Sequence, residues 1–158
     1  MACKNDSELI RLTEVRKFDF LYEAKKAELR RICSIAKTLF DADRASVVIV
    51  DSDHNKALEA DGGSPITTTP RRNSLSEHAL EADCFYEVDV PEDDGAGAHS
   101  RGFRHYAGVP LQPTPGLFVG VFAIASKRVR RLSEEDRENL IALAQVIEDE
   151  MRLFLAGQ

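Results

Sequence analysis

The most reactive side chains of this sequence are gathered in one short segment, SEHALEADC, at residues 76–84. It supplies a serine, a histidine, acids and a cysteine, which are the side-chain types that carry nucleophilic and acid–base catalysis. A helix is predicted over part of it, and helical side chains two positions apart, such as Ser76 and His78, do not face each other. The spacing therefore gives no local dyad, and the sequence has no GxSxG, P-loop or GxGxxG motif.

The histidines and cysteines do not have the spacing of a metal site. His78, Cys84, His99 and His105 match neither a helical i,i+4 pair nor a hairpin clip, so we expect no bound metal. The three cysteines are far apart and outside any CxxC motif: Cys3, Cys33 and Cys84. Together with an N-terminus that has no apolar signal segment, they indicate a reducing cytoplasm. A redox role for Cys84 stays open as an alternative.

Two arginines, Arg71 and Arg72, precede a helix that the sequence predicts over about 75–82. Ser74 and Glu77 form a capping box at its start, in which each side chain is expected to bind the amide of the other residue. Because arginines beside a helix N-terminus can hold an anion, the pair is a candidate anion site. Solvated loop arginines are the alternative reading.

Long amphipathic helices are predicted at both ends of the chain. Residues 7–41 read as one helix with an apolar seam of 3.5-residue period, broken only at Lys25. A final helix begins at Ser133, its predicted N-cap, and ends near Gly157. Both seams extend past the reach of a small sheet, because ~34 helical residues span ~50 Å. The surplus predicts a homodimer through Val15, Phe18, Tyr22, Ile147, Met151 and Phe154.

The middle of the chain is predicted to form strands. A β-branched run at 44–52 is typical of a strand buried on both faces, and the DSDHN segment that ends it is typical of a turn. Further strands are predicted at KALEA, ITTT and CFYEVDV, and a hairpin at 104–111 and 117–126. The fold class is therefore α+β, with a central antiparallel sheet of about five or six strands. Residues 91–102 form the longest breaker-rich loop.

Composition limits the classes of partner. The chain has 158 residues, of which 43% are hydrophobic and 30% charged, as expected for one folded domain. A net charge of −6 disfavours nucleic acids and anionic membranes as partners. No run approaches the ~20 apolar residues of a membrane span. We expect a cytoplasmic protein with no nucleic-acid and no membrane partner.

Several spaced segments together resemble the GAF domain family in its bacterial sensory branch: SLSEHAL, VDVP, FRHYAGVPL, LFVGVFAIAS and RRLSEEDRENLIALAQ. The resemblance runs from Ala24 to Met151 and implies a sensory domain at 24–158 behind a continuous helical extension at 1–23. It implies long terminal helices on one sheet face and the short helix and loops on the other. It also implies a small molecule or chromophore held under that second layer, and dimerisation through the terminal helices.

The chain departs from the better-defined branches of this family. Of the Asn-Lys-Phe-Asp-Glu signature of cyclic-nucleotide-binding members it has only Asn55 and Lys56. The Cys–His pair of bilin-binding relatives is missing, because Phe85 follows Cys84. The free methionine sulfoxide reductases of this fold use several cysteines around the pocket, and only Cys84 is near that region here. The ligand and any cofactor are therefore unknown from the sequence.

We expect a non-enzymatic sensory domain that binds an unidentified small molecule and signals as a homodimer, within or beside a histidine kinase or diguanylate cyclase. The alternatives are a small redox enzyme using Cys84 and a ligand-free dimerisation scaffold. Candidate pocket residues come from the inner strand faces, the short helix and the aromatics after the loop: Val48, Val50, Leu75, His78, Ala79, Tyr86, Val88, Phe103, Tyr106, Gly108, Val121 and Ala123.

Overall fold

The structure is a computed structural model that describes residues 4–59, 67–92 and 97–158. Cys3, the turn predicted around 61–65 and part of the predicted 91–102 loop lie outside the described residues. The elements in chain order are α1 (Lys4–Arg16), α2 (Leu21–Leu39), β1 (Arg44–Val50), β2 (His54–Glu59), β3 (Thr67–Pro70), α3 (Leu75–Leu80), β4 (Tyr86–Asp89), β5 (His105–Leu111), β6 (Gly120–Ser126) and α4 (Glu134–Ala156).

Six strands form one antiparallel sheet in the order β3-β2-β1-β6-β5-β4. This confirms the predicted α+β fold. The long runs predicted as buried strands, β1, β5 and β6, are its three central members, and nearly all of their residues are buried. β2 starts at His54, within the predicted DSDHN turn, because a hydrogen bond of 2.9 Å from the Asp51 amide to the His54 carbonyl already closes the hairpin. Asn55 therefore lies in a strand and not in a turn.

The prediction of a single helix at 7–41 is wrong, because the chain turns between α1 and α2. The Lys17 and Phe18 amides bond three residues back, to the carbonyls of Glu14 and Val15 at 3.0 Å each, and end α1. The sequence has no glycine or proline there. The turn places Phe18 and Leu21 in the core, where they are 4% and 1% exposed. Burial of these side chains thus overrides a helical pattern that is locally continuous.

The helices α2 and α4 pack side by side on one face of the sheet. Lys25, near the start of α2, pairs with Glu150, near the end of α4, at 3.2 Å, so the two helices run antiparallel. The N-cap predicted for α4 is confirmed, since the Ser133 hydroxyl accepts the Asp136 amide at 3.0 Å. Among the described residues, no helix is both long enough and apolar enough to cross a bilayer.

The residues predicted at a dimer interface are largely used inside one chain. The Phe18 ring stacks on Phe154 with 6.1 Å between centroids. Tyr22 packs against the same core and is partly buried. The other members of the set are buried in the same core: Val15, Ile147 and Met151. Because the turn at 17–20 folds α1 back onto the domain, these six residues do not form the exposed surplus inferred from a continuous helix.

A buried histidine joins β4 and β5 to the segment before α4. His105 Nε2 lies 2.6 Å from Glu87 Oε2, and the same carboxylate oxygen accepts the Leu132 amide at 2.9 Å. Burial lowers the pKa of His105, and the nearby Arg130 and Arg131 lower it further, against the opposing charge of Glu87. The ring is therefore neutral, with Nε2–H donating to Glu87.

The His105 contact predicts a specific loss of stability in acid. The unfolded chain takes up a proton near the usual histidine pKa of 6.5, whereas folded His105 resists it to lower pH. Lowering the pH from about 7.5 to about 5.5 should therefore reduce the free energy of unfolding, measured by urea denaturation. His105→Gln keeps a donor toward Glu87 and should lose part of this dependence, while the exposed His78→Gln should retain it. The same pH dependence in wild type and His105→Gln would contradict the assignment.

Candidate functional site

One face of the sheet is built from every second residue of the central strands. On β1 these are Arg44, Ser46, Val48 and Val50, since side chains alternate along a strand. Their partners in the register present the same face: Asn55 and Ala57 on β2, Val121, Ala123 and Ala125 on β6, and Tyr106 and Gly108 on β5. All the strand residues predicted for the pocket belong to this face, including Tyr86 and Val88 on β4.

The short helix α3 lies on this face at Gly108. A Cβ placed on Gly108 would stand 3.1 Å from the Ala79 Cβ and 3.0 Å from the Val121 side chain. Glycine is therefore what admits the helix so close to β5. The capping box is only half as predicted: Ser74 accepts the Glu77 amide at 3.1 Å, but Glu77 accepts the amide of Asn73 rather than that of Ser74. The Ser74 amide instead bonds the Arg71 carbonyl.

A cavity of about 70 Å³ lies between this sheet face, the start of α3 and the segment 98–103. Its predicted lining residues are Val48, Leu75, Phe103, Tyr106 and Ala123. Sequence reasoning missed the other lining residues: Arg44, Ser46, Asn55, Ala57, Thr69, Ser74, Ser76, Val90, Ala98, Arg101, Ile124 and Ala125. Side chains alternate between the two faces of a strand, so the prediction of Val48 and Val50 for the pocket could have been extended along β1 to Ser46 and Arg44.

The remaining predicted pocket residues lie outside the cavity. Val50, Ala79 and Val121 are buried with it in one cluster but do not line it. The expectation that His78 faces the sheet is wrong: its side chain is exposed, with Nε2 3.1 Å from the Asn73 Oδ1 and the ring stacked on Tyr86. Phe103 is buried on the cavity side, whereas His105 points to the opposite face of the sheet, because β5 begins only at His105 and Tyr106 faces the cavity.

Two buried side-chain oxygens of residues that line the cavity have no hydrogen-bond partner among the described residues. Asn55 is 2% exposed; its Nδ2 donates to Ser74 Oγ at 3.0 Å and to the Pro70 carbonyl at 3.4 Å, while Oδ1 has no partner. The Tyr106 hydroxyl has no hydrogen-bond partner within 3.5 Å. The Ser76 hydroxyl lies near it and acts to lower the pKa of Tyr106. Burial raises the pKa of Tyr106, so it stays protonated. Such buried groups are rare without water or a ligand to satisfy them.

Among the described residues that line the cavity, two are charged, and both are arginines. Arg44 lies on the sheet face near Tyr106, and Arg101 lies at the outside with its guanidinium 5.7 Å from the Phe103 ring. No Asp or Glu is among the described residues that line the cavity. The described part of the wall therefore combines apolar side chains with two arginines.

Arg71 is occupied by ion pairs and does not offer a free anion site. Its Nε donates to Glu77 of α3 at 3.1 Å, and its other donors bond Glu8 of α1 at 2.9 Å and the Asp51 carbonyl at 2.9 Å. Burial works against the charge on Glu8, but hydrogen bonds from Arg11 and Arg71 outweigh it and hold the pKa of Glu8 below its usual value. Arg71 thus links α1 to α3, while the Arg72 side chain is exposed.

The described cysteines lie away from the cavity. Cys33 is buried in the core under α2, and Cys84 is exposed in the turn after α3. Within residues 4–59, 67–92 and 97–158, no three His, Cys, Asp or Glu side chains come together as a metal-binding group. Among the residues described, the cavity therefore presents hydroxyl, amide and guanidinium groups rather than thiol or metal chemistry.

The family follows from the sequence profile of the GAF domain, which matches residues 27–148. The chain belongs to the GAF domain family. This confirms the resemblance seen in the sequence between Ala24 and Met151. No curated protein sequence matches the chain.

Solved structures with the same fold include domains of bacterial sensor histidine kinases and a bacterial reductase. The GAF domain of a two-component sensor histidine kinase from Bacillus halodurans is 20% identical, with a TM-score of 0.60 over 79% of this chain and 97% of that chain. A domain of a putative two-component sensor histidine kinase from Sinorhizobium meliloti is 17% identical, with a TM-score of 0.61 over 88% of this chain and 96% of that chain. Free methionine-R-sulfoxide reductase from Neisseria meningitidis, in complex with its substrate, is 22% identical, with a TM-score of 0.65 over 97% of this chain and 87% of that chain.

Removing the Arg71 guanidinium should release α1 from α3. Arg71→Met keeps the aliphatic stem and removes hydrogen bonds to charged groups, each worth about 1.5–3 kcal/mol. We expect amide hydrogen exchange in α1 to become faster by roughly tenfold or more, because about 1.4 kcal/mol is a factor of ten. Arg72→Met, at the exposed neighbour, is the control and should leave α1 unchanged. Unaltered exchange of α1 in Arg71→Met would show that the link has no energetic weight.

Proposed function

We propose that this GAF domain is a non-enzymatic sensor that binds a small molecule in the cavity between the sheet and α3. The observation that carries the proposal is the cavity of about 70 Å³ under α3, whose described wall combines apolar side chains with hydroxyl, amide and guanidinium groups. Polar groups of this kind fix the orientation of a bound molecule by hydrogen bonds. The apolar walls add burial of its hydrocarbon part.

The proposed signal passes from the cavity to α1 through Arg71. Leu75 and Ser76 line the cavity at the start of α3, and Glu77, next along this helix, binds Arg71. Arg71 in turn binds Glu8 of α1 at 2.9 Å. A ligand that shifts the first turn of α3 therefore pulls on a terminal helix by way of two ion pairs. Small shifts of this kind are amplified when packed helices have discrete alternative positions.

We propose that the output is an effector kinase or cyclase domain in the cytoplasm. Support comes from the two sensor histidine kinases whose domains share this fold. In this proposal the α1 and α4 ends of the domain carry the change to the effector, since α1 is joined to the ligand-binding side and α4 stacks on the α1–α2 turn through Phe154 and Phe18.

The homodimer belongs to the same proposal, with an interface on the outer face of α2 and α4. In one chain these two helices and the turn before them expose large apolar side chains: Phe20, Ile35, Leu39, Val146 and Leu153. They replace the buried seam residues as the candidates for contact with a second copy. An isologous pairing of the two helices from each protomer would bury all of them in a four-helix bundle.

The structural similarity to a reductase makes the alternative function, a redox enzyme that uses Cys84, a testable one. That protein shares the fold across 97% of this chain. Against a reductase role here, Cys84 is exposed and does not line the cavity, and Cys33 is buried on the opposite side of the sheet. A ligand-free scaffold is disfavoured by the open volume of about 70 Å³ under α3.

Native mass spectrometry of the protein purified from its own host should reveal a bound small molecule. Ala123→Leu fills the cavity from β6 and should abolish the added mass while the fold is retained, because filling a void does not strain the core. Ala142→Leu makes the same change on the exposed face of α4 and should keep the ligand.

Two results would contradict this proposal. One is an unliganded mass in wild type together with an unchanged melting temperature in Ala123→Leu; the other is a ligand that survives that substitution. Methionine-sulfoxide reduction by the wild type that is lost in Cys84→Ser would instead establish the redox alternative.

The dimer proposal predicts that charge on the outer helical face gives a folded monomer. Ile35→Glu combined with Leu153→Glu should abolish the dimer in sedimentation equilibrium at tens of micromolar, with an unchanged circular dichroism spectrum. Val129→Glu, at a position 70% exposed in the segment before α4, is the matched control and should remain dimeric. A wild-type protein that sediments as a monomer at that concentration would exclude this interface.

A further inference from the structure

We infer that α1 is a detachable strap whose attachment to the domain is controlled by the salt concentration. The strap comprises Lys4–Arg16, and its hinge is the turn at 17–20. The inference goes beyond the proposed function, because it concerns how α1 is held and needs no bound molecule.

The side of α1 that faces the domain is charged rather than apolar. Arg11 and Glu14 are buried, at 9% and 2% exposed. Val15 is the one buried apolar residue among the α1 side chains that the structure describes, whereas Leu9 is 64% exposed. The long helices α2 and α4 each bury a stripe of apolar side chains instead. A helix with so little buried apolar surface belongs to the least stable part of a domain.

Arg11 is the most deeply buried basic contact of the strap. Its Nη1 donates to the Phe118 carbonyl at 3.2 Å, and its Nε donates to Glu8 Oε1 at 2.9 Å. Arg71 donates to the same Glu8 oxygen at 2.9 Å, so two arginines share one carboxylate. Phe118 precedes β6 and Arg71 follows β3, and the strap therefore lies across the end of the sheet where β3 ends and β6 begins.

Ion pairs attach the strap toward both of its ends, and solvent reaches a member of each pair. Arg16 pairs with Asp51, which follows β1; the arginine side chain is 51% exposed and the aspartate 3%. Glu8 pairs with Arg71, with side chains 31% and 14% exposed. Dissolved ions screen charges that remain in contact with solvent. Added salt should therefore weaken the attachment of α1 more than it weakens the apolar core.

The turn at 17–20 allows α1 to leave without disturbing α2. It contains no glycine or proline, and none of its residues has a positive φ. Phe18 is 4% exposed and stacks on Phe154, and Leu21 is 1% exposed. The core thus holds the chain from Phe18 onward, and we expect the strap to open at residue 17.

The apolar contact beside the hinge is incompletely packed. A second cavity of about 40 Å³ lies between the end of α1, the start of α2 and the edge of the sheet, with Val15, Phe18, Leu21, Ile49 and Leu58 among its lining residues. Atoms beside such a space lose part of their dispersion contacts. Charged contacts therefore carry a larger share of the attachment of α1 than they would in a filled interface.

Detachment has a direct consequence for the domain. Opening of the strap breaks the pair between Glu8 and Arg71, while Arg71 keeps its contact with Glu77 of α3. The ionic strength of the surroundings therefore decides whether α1 and α3 are joined. In this way the fold contains a device that responds to salt.

The test is amide hydrogen exchange of the full chain at one fixed pH, followed by NMR at several low urea concentrations. A detached helix of 13 residues is marginal in water, so its amides exchange when the strap opens. We expect the α1 amides to exchange roughly tenfold or more faster than those of α4, with a weaker urea dependence, because opening exposes little surface. Raising KCl from about 0.05 M to about 0.5 M, which shortens the Debye length to a few ångströms, should accelerate α1 about threefold or more relative to α4.

Two variants and one solute assign the effect to charge. Arg16→Met removes the pair with buried Asp51 and should accelerate exchange in α1 by about tenfold, with a smaller response to KCl. Arg31→Met, at an exposed position of α2, is the matched control and should leave both quantities unchanged. Sucrose at the osmolality of the KCl solution should not accelerate α1. If Arg16→Met fails to fold, the KCl and sucrose series of the wild type decides.

Several outcomes overturn the inference. Equal protection and equal urea dependence of α1 and α4 would show that α1 opens only with the whole domain. Exchange of α1 that does not respond to KCl, or responds equally to sucrose, refutes the control by salt. Unchanged exchange in Arg16→Met refutes the charged attachment, and unprotected α1 amides at the lower KCl concentration refute the closed strap. The proposed function is judged separately, by whether a molecule that Ala123→Leu expels co-purifies from the host.

Discussion

The rest of the structure depends on the requirement that three central strands be buried on both faces. β1, β5 and β6 have almost no exposed residue. On one face the long helices α2 and α4 meet that requirement completely, with Leu140, Ile147 and Met151 fully buried. On the other face only the six-residue helix α3 and the segment around Ala98 are among the described cover. The mismatch between a full-width sheet and a short cover is what leaves a cavity.

The two faces of the sheet therefore differ in how much packing holds their covering layers in place. The helix side is covered by two long helices and tied by the buried His105–Glu87 contact, which favours a stable core. The cavity side is held by α3 at Gly108 and by the Arg71 ion pairs, which are fewer and partly exposed contacts. A molecule bound in the cavity, as proposed, would therefore act on the layer with fewer packing contacts, and that layer is joined to α1.

The sequence predicted the architecture better than the site. Periodicity located the central strands, and Ser133 and Ser74 marked helix starts, because these signals are local. The break at 17–20 was missed, since it comes from burial of Phe18 against Phe154, residues far apart in the sequence. Asn55 was assigned to a turn by composition, and only its pairing with Val50 shows that it faces the cavity. Polar pocket residues such as Ser46 look like surface residues until the strand register is known.

The central claim is that a molecule bound in the cavity changes the conformation of α1 through α3 and Arg71. A titration of the isotopically labelled protein with the molecule that co-purifies from its host, followed by amide ¹H–¹⁵N spectra, tests this most directly. The account predicts shifts of the Asn55 side-chain amide, of Leu75–Leu80 and of α1, with the α1 shifts lost in Arg71→Met. Shifts confined to the outer face of α2 and α4, or shifts in α1 that persist without Arg71, would contradict it.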